Sequence, residues 1–224
     1  MKPLIQIGLI ASLFNVLLSC NGQANEKMPI KQESASTPKI KVGGRCEDCK
    51  LINIGMPEDI ASTDTSSGWQ ETGQKLLVSG VVFKKDGRTP ADNVIIYYWQ
   101  TDNNGFYSPM EGLDEQAKQH GHIRGWMKTD ELGRYALYTI RPTPYPKTEN
   151  PSHIHLLVKE PDIDNEYYID DIMFDDDAFL TENFRNRLEK RGGNGIVKVG
   201  FENEMQIAKR DIILGYNIPD YPEK

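Results

Sequence analysis

His153 and His155, in the stretch Pro151-Ser152-His153-Ile154-His155, are the residues of this chain best placed by type and spacing to do chemistry. The apolar run Leu156-Leu157-Val158 follows them and reads as strand. Side chains alternate along a strand, so both imidazoles face one way while Ile154 faces the other. Such a pair offers a metal ion two nitrogens from a rigid element at neutral pH. A solvated strand face that happens to carry two histidines is the competing account. The remaining histidines, His120 and His122, flank Gly121 in a polar stretch ahead of an expected Arg124-Gly125 turn. Glycine there argues against a strand, so they read as a solvated loop, with metal or substrate contact as the alternative, and as a lid if that loop folds over a pocket.

Strands must position the histidine pair. Lys75 to Phe83 is strand-like and closes in the turn Lys85-Asp86-Gly87-Arg88. Asn93 to Gln100 is rich in β-branched and aromatic residues and ends at Asp102-Asn103-Asn104-Gly105. A further turn, Thr129 to Gly133, leads into a strand from Arg134 to Ile140, and a short one is expected at Tyr167-Tyr168-Ile169. Ile196 to Phe201 and Asp211 to Leu214 return to strand. Short strands with turn chemistry between them predict an all-β, two-sheet β-sandwich. One late helix is expected, capped by Thr181, apolar at Phe184 and Leu188, and stopped by Gly192-Gly193.

The chain has 224 residues, the length of one domain with a tail, and a hydrophobic share of 38%, enough to build a core. Its net charge of −7 excludes nucleic acid as a natural partner, because a phosphate backbone needs a basic surface.

The first residues read as an export signal rather than as part of the fold. Lys2 is followed by a mostly apolar segment from Leu4 to Leu18, too short for a comfortable membrane span. It ends in Leu17-Leu18-Ser19-Cys20, which resembles a bacterial lipobox, so residues 1–19 read as a signal peptide and Cys20 as the lipidated residue. An ordinary secretory signal with an incidental cysteine is the alternative. Residues 20–44 read as a polar tether, which leaves 45–224 for the domain and places it at the cell envelope, attached to the membrane by lipid. Cys46-Glu47-Asp48-Cys49 has no second cysteine pair for a zinc ribbon and no strand–helix frame for a thioredoxin-type motif. In an exported protein it reads as a local disulfide pinning the domain entrance, with redox or metal roles as the alternatives.

Several separated segments, in order, resemble the intradiol ring-cleavage dioxygenases. The family includes protocatechuate 3,4-dioxygenases and catechol 1,2-dioxygenases. The segments are Trp99-Gln100-Thr101-Asp102-Asn103-Asn104-Gly105-Phe106-Tyr107, then Thr139-Ile140-Arg141-Pro142-Thr143-Pro144-Tyr145-Pro146, then the His153 stretch. The tail from Arg210 to Pro219 also resembles the family's closing strand, and the likeness covers about residues 75–220.

The resemblance implies a prealbumin-like sandwich and one non-haem Fe(III) per chain, held by Tyr107, Tyr145, His153 and His155. That donor set suits the ion: Fe(III) is hard and favours anionic oxygen, and phenolate supplies it. The implied reaction uses O2 to break the bond between the two hydroxylated carbons of an aromatic diol, giving a muconate-type diacid. Tyr145 is implied to be the ligand that substrate displaces. Trp99 matches a position near the active site, as a pocket residue or as a core aromatic, and Arg141 reads as a catalytic neighbour of Tyr145 or as a surface ion-pair partner. Two pocket positions depart from the family: Asn150 stands where an arginine is expected and Asp171 where a glutamine is expected. That exchange disfavours anionic substrates such as protocatechuate. A sandwich that keeps the ligands and has lost turnover is the rival reading.

The leader generates a first test. Full-length protein expressed with labelled fatty acid should carry the label and sediment with membranes, and Cys20→Ser should abolish both. Label retained on the substituted protein would refute the lipobox reading.

Overall fold

The structure is a computed structural model that describes residues 41–223. The expected signal peptide, Cys20 and nearly all of the tether lie outside the described residues. Lys41 to Gly44 belong with the domain rather than with a tether. Val42 is buried in the core, its backbone N–H donates to Asn165 Oδ1, and Gly43 N–H donates to the Pro219 carbonyl.

In chain order the strands are β1 (Thr63–Thr65), β2 (Lys75–Phe83), β3 (Ile95–Gln100), β4 (Arg124–Lys128), β5 (Arg134–Ile140) and β6 (His153–Lys159). After them come β7 (Tyr167–Phe174), α1 (Glu182–Arg185), β8 (Ile196–Val197), β9 (Val199–Glu202), β10 (Met205–Lys209) and β11 (Ile212–Ile213). One sheet runs β1-β5-β2-β10-β9, with β11 also paired to β2, and the other runs β4-β3-β6-β7-β8. This is the expected all-β two-sheet sandwich. Arg124-Gly125 is not a turn but the start of β4, where Gly125 pairs with Tyr98. A side chain there would collide with the Tyr98 hydroxyl and its acceptor Asp64.

Alternation along β2 turns Leu76, Val78 and Val82 inward, where they share one core with Ile154, Leu156 and Val158 of β6 and Ile96 and Tyr98 of β3. The opposite face of β3 and β6 would be solvated in a simple sandwich. Here it carries a second small core of Tyr97, Trp99 and Leu157, covered by Cys49 and Ile52. That cover is a 3-10 turn, Cys49–Asn53, fastened by Trp126 Nε1 to the Ile52 carbonyl and by Arg124 to the Leu51 and Ile54 carbonyls. Cys46 and Cys49 are joined by a disulfide at the start of this turn.

The late helix is much shorter than its caps predict. Thr181 does cap it, accepting from Phe184 N–H, but α1 is a single turn ending at Arg185, well before Gly192. None of its residues is buried, so no packed face stabilises a longer helix.

Candidate metal centre

The site sits on the outer face of β6. His153 and His155 both point there, as strand alternation requires, and Ile154 is fully buried in the sandwich. His153 Nδ1 donates to the Pro151 carbonyl at 2.7 Å, and His155 Nδ1 donates to Asp171 Oδ1 at 3.1 Å. With Nδ1 protonated in each ring, both Nε2 atoms are left with lone pairs, and they face each other 3.1 Å apart.

Tyr107 reaches the same point from a tight turn. Asp102 holds that turn by accepting from Asn104 N–H, Phe106 N–H and Ser108 Oγ. Gly105 has φ of +82°, and a Cβ on it would lie 2.3 Å from the Pro144 carbonyl oxygen. Only glycine lets the Tyr107 turn lie against the loop that carries Tyr145. That loop is further clipped by Thr101 Oγ1 donating to the Thr143 carbonyl.

The two phenol oxygens lie 2.5 Å apart. Tyr107 Oη is 2.9 Å from His155 Nε2, and Tyr145 Oη is 3.1 Å from His153 Nε2 and 3.4 Å from His155 Nε2. Ligands bound at about 2.0–2.2 Å from one ion sit roughly 2.8–3.5 Å from each other. Apart from the closer pair of phenol oxygens, the distances among these donors are those of a coordination shell. Burial raises the pKa of both tyrosines, Tyr107 most, and lowers that of His153, so a cation is needed to ionise the phenols.

Among the described residues, His153, His155 and Asp171 also form a group close enough to hold a metal. Asp171 contacts Nδ1 of His155, the nitrogen facing away from the four-donor cluster, so it orients a ligand from behind. Burial opposes its ionisation, but the adjacent His155 outweighs this and lowers its pKa. A β-bulge puts it there. Ile154 pairs with Ile172 and Leu156 with Ile169, so Asp170 and Asp171 together face the single residue His155. The extra residue turns Asp171 outward, which period-two counting from Tyr167 does not anticipate.

Trp99 has both of its expected roles: it is nearly buried, and it lines a cavity of about 540 Å³ beside the donor cluster. It is the cross-strand partner of His155 and stacks on that ring at 4.6 Å. Two expected site residues lie elsewhere. Arg141 forms a two-pronged ion pair with Asp176, at 2.9 and 2.7 Å, over the Phe174 ring. Its expected place beside Tyr145 chemistry is therefore corrected to a structural ion pair. Asn150 is exposed in the loop before β6 and does not line the cavity, so its expected place in the pocket is corrected too. The charge argument built on Asn150 falls with it, while Asp171 remains at the site.

The solvated-loop reading of His120 and His122 is also corrected. His120 is buried, stacked on Trp99 at 4.0 Å, and faces the cavity. Tyr168, Arg187 and Asp48 line it as well. Of these, Tyr168 was readable, as the residue of its strand opposite in facing to the buried Tyr167. The sequence holds no signal that brings Asp48, Arg187 or His120 to the same place. His122 donates from Nδ1 to the Ser108 carbonyl and from Nε2 to Glu71. Both ring nitrogens thus carry protons. Burial opposes that charge, but the Ser108 carbonyl and Glu71 outweigh it and raise the pKa.

Two tests follow from this geometry. Asp171→Asn removes the charged acceptor behind His155 and should weaken iron binding about 10–100-fold in competition with a chelator. Unchanged affinity would mean the carboxylate does not orient the ligand. His122 has a folded pKa above its ordinary value of 6.5, so its contact with Glu71 stabilises the fold fully below pH 6.5. That contribution is lost as pH rises through the raised value. Melting curves should show it as a loss of Tm on the alkaline side, which His122→Asn flattens.

The family model Dioxygenase_C, described as a dioxygenase, matches residues 53–204. The catechol 1,2-dioxygenase of Candida albicans is 31% identical over 109 residues, covering 40% of this chain and 34% of that protein. The chain thus spans about a third of the length of that curated relative. Among solved structures, catechol 1,2-dioxygenase from Acinetobacter sp. ADP1 aligns with a TM-score of 0.52 at 21% identity, covering 71% of this chain and 58% of that one. Hydroxyquinol 1,2-dioxygenase from Pseudomonas putida DLL-E4 aligns at 0.51 and 20%, covering 81% and 68%. These two likenesses show the fold. With the family match running through the sandwich and the donor cluster, this chain belongs to the intradiol ring-cleavage dioxygenase family.

Proposed function

We propose that the chain is a non-haem Fe(III) dioxygenase that opens a catechol between its hydroxylated carbons. The observation that carries this reading is the convergence of Tyr107, Tyr145, His153 and His155 on one point, with both imidazole lone pairs aimed inward. Two phenolates and two neutral imidazoles are a donor set for a hard trivalent ion rather than for zinc or copper. A ferric ion bound there supplies electrophilic activation of the diol toward O2.

The chain's own residues do the rest. His153 and His155 are fixed from behind by a carbonyl and a carboxylate, and Tyr107 by a turn that packs on the Pro144 loop. Tyr145, on a proline-flanked loop, is the ligand that the family resemblance assigns to swing aside and accept a proton from the second diol hydroxyl. Trp99 lines the cavity beside His155 and backs that ring by stacking on it. The leader sequence supports a place at the cell envelope, held to the membrane by lipid on Cys20.

Colour tests the reading before any substrate is known. A ferric–phenolate pair absorbs visible light by charge transfer, so purified protein should be red to brown with about one iron per chain. Tyr107→Phe should shift or weaken the band, and His153→Ala or His155→Ala should strip the metal. Catechol added without oxygen should move the band to longer wavelength, and oxygen should then bleach it as a muconate absorbance grows. Protein that stays colourless after iron reconstitution would defeat the tyrosinate site. Colour and catechol binding without oxygen uptake would favour the module that has lost turnover.

A further inference from the structure

The cavity is larger than one diol ring needs. At about 540 Å³ it falls within the range of sites for much larger ligands. Its wall away from the donor cluster is polar and built by segments the reaction itself does not use. His120 is the centre of that wall. Arg124 Nε donates to the Tyr97 hydroxyl at 2.7 Å, so that hydroxyl gives its own proton to His120 Nδ1 at 2.9 Å. His120 is therefore neutral with its remaining proton on Nε2. Among the described residues nothing accepts from that N–H, and Nε2 is not one of the sealed polar atoms left without a partner. It opens on the cavity that His120 lines.

Trp99 sets the distance. It stacks on His120 at 4.0 Å with an interplanar angle of 1° and on His155 at 4.6 Å with 20°. The two imidazoles make no ring contact with each other among the described residues. The His120 N–H thus addresses a part of the ligand set back from the diol. Beside it, Gln119 Nε2 donates to Asp48 Oδ1, which holds a carboxylate at the same wall. The disulfide between Cys46 and Cys49 closes the loop that presents Asp48. A fixed N–H next to a carboxylate suits a hydroxyl group, which accepts from the first and donates to the second.

We propose that the substrate is a catechol extended by a second, hydroxylated ring, and that His120 Nε2–H and Asp48 bind the distal hydroxyl. His120 is on this account a specificity residue, acting on the far end of the ligand. The proposal rests on the dioxygenase reading for the placement of the diol.

Two probes isolate the distal hydroxyl. Piceatannol carries a catechol joined through a double bond to a dihydroxylated ring, and 4-styrylcatechol is the same frame without the distal hydroxyls. Titration calorimetry of the full chain in detergent, without oxygen, should show piceatannol binding about tenfold more tightly. His120→Phe keeps a ring against Trp99 but removes the N–H, and should bring the ratio close to one. His120→Gln, which retains an N–H near the Nε2 position, should restore part of it. Asp48→Asn lies on the rim and should also lower the ratio, which keeps the test alive if the buried Phe variant fails to fold. Equal binding of the two probes by the unaltered protein would overturn the proposal, as would an undiminished ratio in folded His120→Phe. Plain catechol with oxygen is the separate control: its failure to turn over would count against the dioxygenase reading and leave the binding comparison to decide this one.

Discussion

Two imidazole lone pairs and two phenol oxygens converge on one small volume, and the rest of the site is arranged around that convergence. The Nε2 atoms of His153 and His155 face each other at 3.1 Å with both protons committed to Nδ1. Lone pairs at that distance repel; each phenol hydroxyl can donate to one of them, and a metal cation would satisfy all four donors at once. Much of the surrounding structure works to hold that arrangement. The Pro151 carbonyl and Asp171 brace the rings, and the glycines at 105 and 121 let backbone come close to the tyrosines. Gly121 has φ of +67° and sits so near Tyr107 that a Cβ would lie 2.8 Å from its Cα.

The sandwich supplies the strands, but the site lies on the face that a sandwich leaves to solvent. A second core covers that face, and its members are bifunctional. Trp99 packs Tyr97 and Tyr168 while stacking on His155, and Cys49 and Ile52 seal it from above. His120 and His122, one residue apart from each other, end in opposite protonation states because of what faces them. His120 meets a hydroxyl already committed as a donor, and burial holds its pKa down to about 3. His122 meets a carbonyl and a carboxylate, and keeps its charge.

The strands were largely readable because their patterning is strong. Lys75–Phe83 and Arg134–Ile140 form with the expected boundaries, and the histidine strand begins at His153. What escaped reading depends on contacts distant in sequence. β1 is three residues long and is defined by pairing with β5, and Arg124-Gly125 reads locally as a turn until Tyr98 is seen opposite it. The resemblance supplied Tyr107 and Tyr145, and the fold brings both to the histidines. It misplaced Arg141 and Asn150, because adjacency in sequence to a ligand does not fix which way a side chain turns. Asp176 captures Arg141, and the loop before β6 carries Asn150 outward. Polar segments such as 46–49 and 115–122 gave no sign that they fold back over one pocket.

The bulge in β7 has a bearing on how such a site is inherited. Asp170 and Asp171 occupy the space opposite one residue, and the bulge absorbs the extra unit, so that Ile172 and the residues after it keep their facing. Removing one codon there would leave the ladder on the β3 side of β6 intact and the sandwich closed. It would also restore plain alternation, with the one aspartate left standing directly opposite His155 and Ile172 still facing inward. A lineage can therefore shorten this strand by one residue and keep both its fold and a carboxylate behind its metal ligand. In comparing descendants of this sandwich, a carboxylate opposite the second histidine is a sharper marker of a maintained centre than the length of β7.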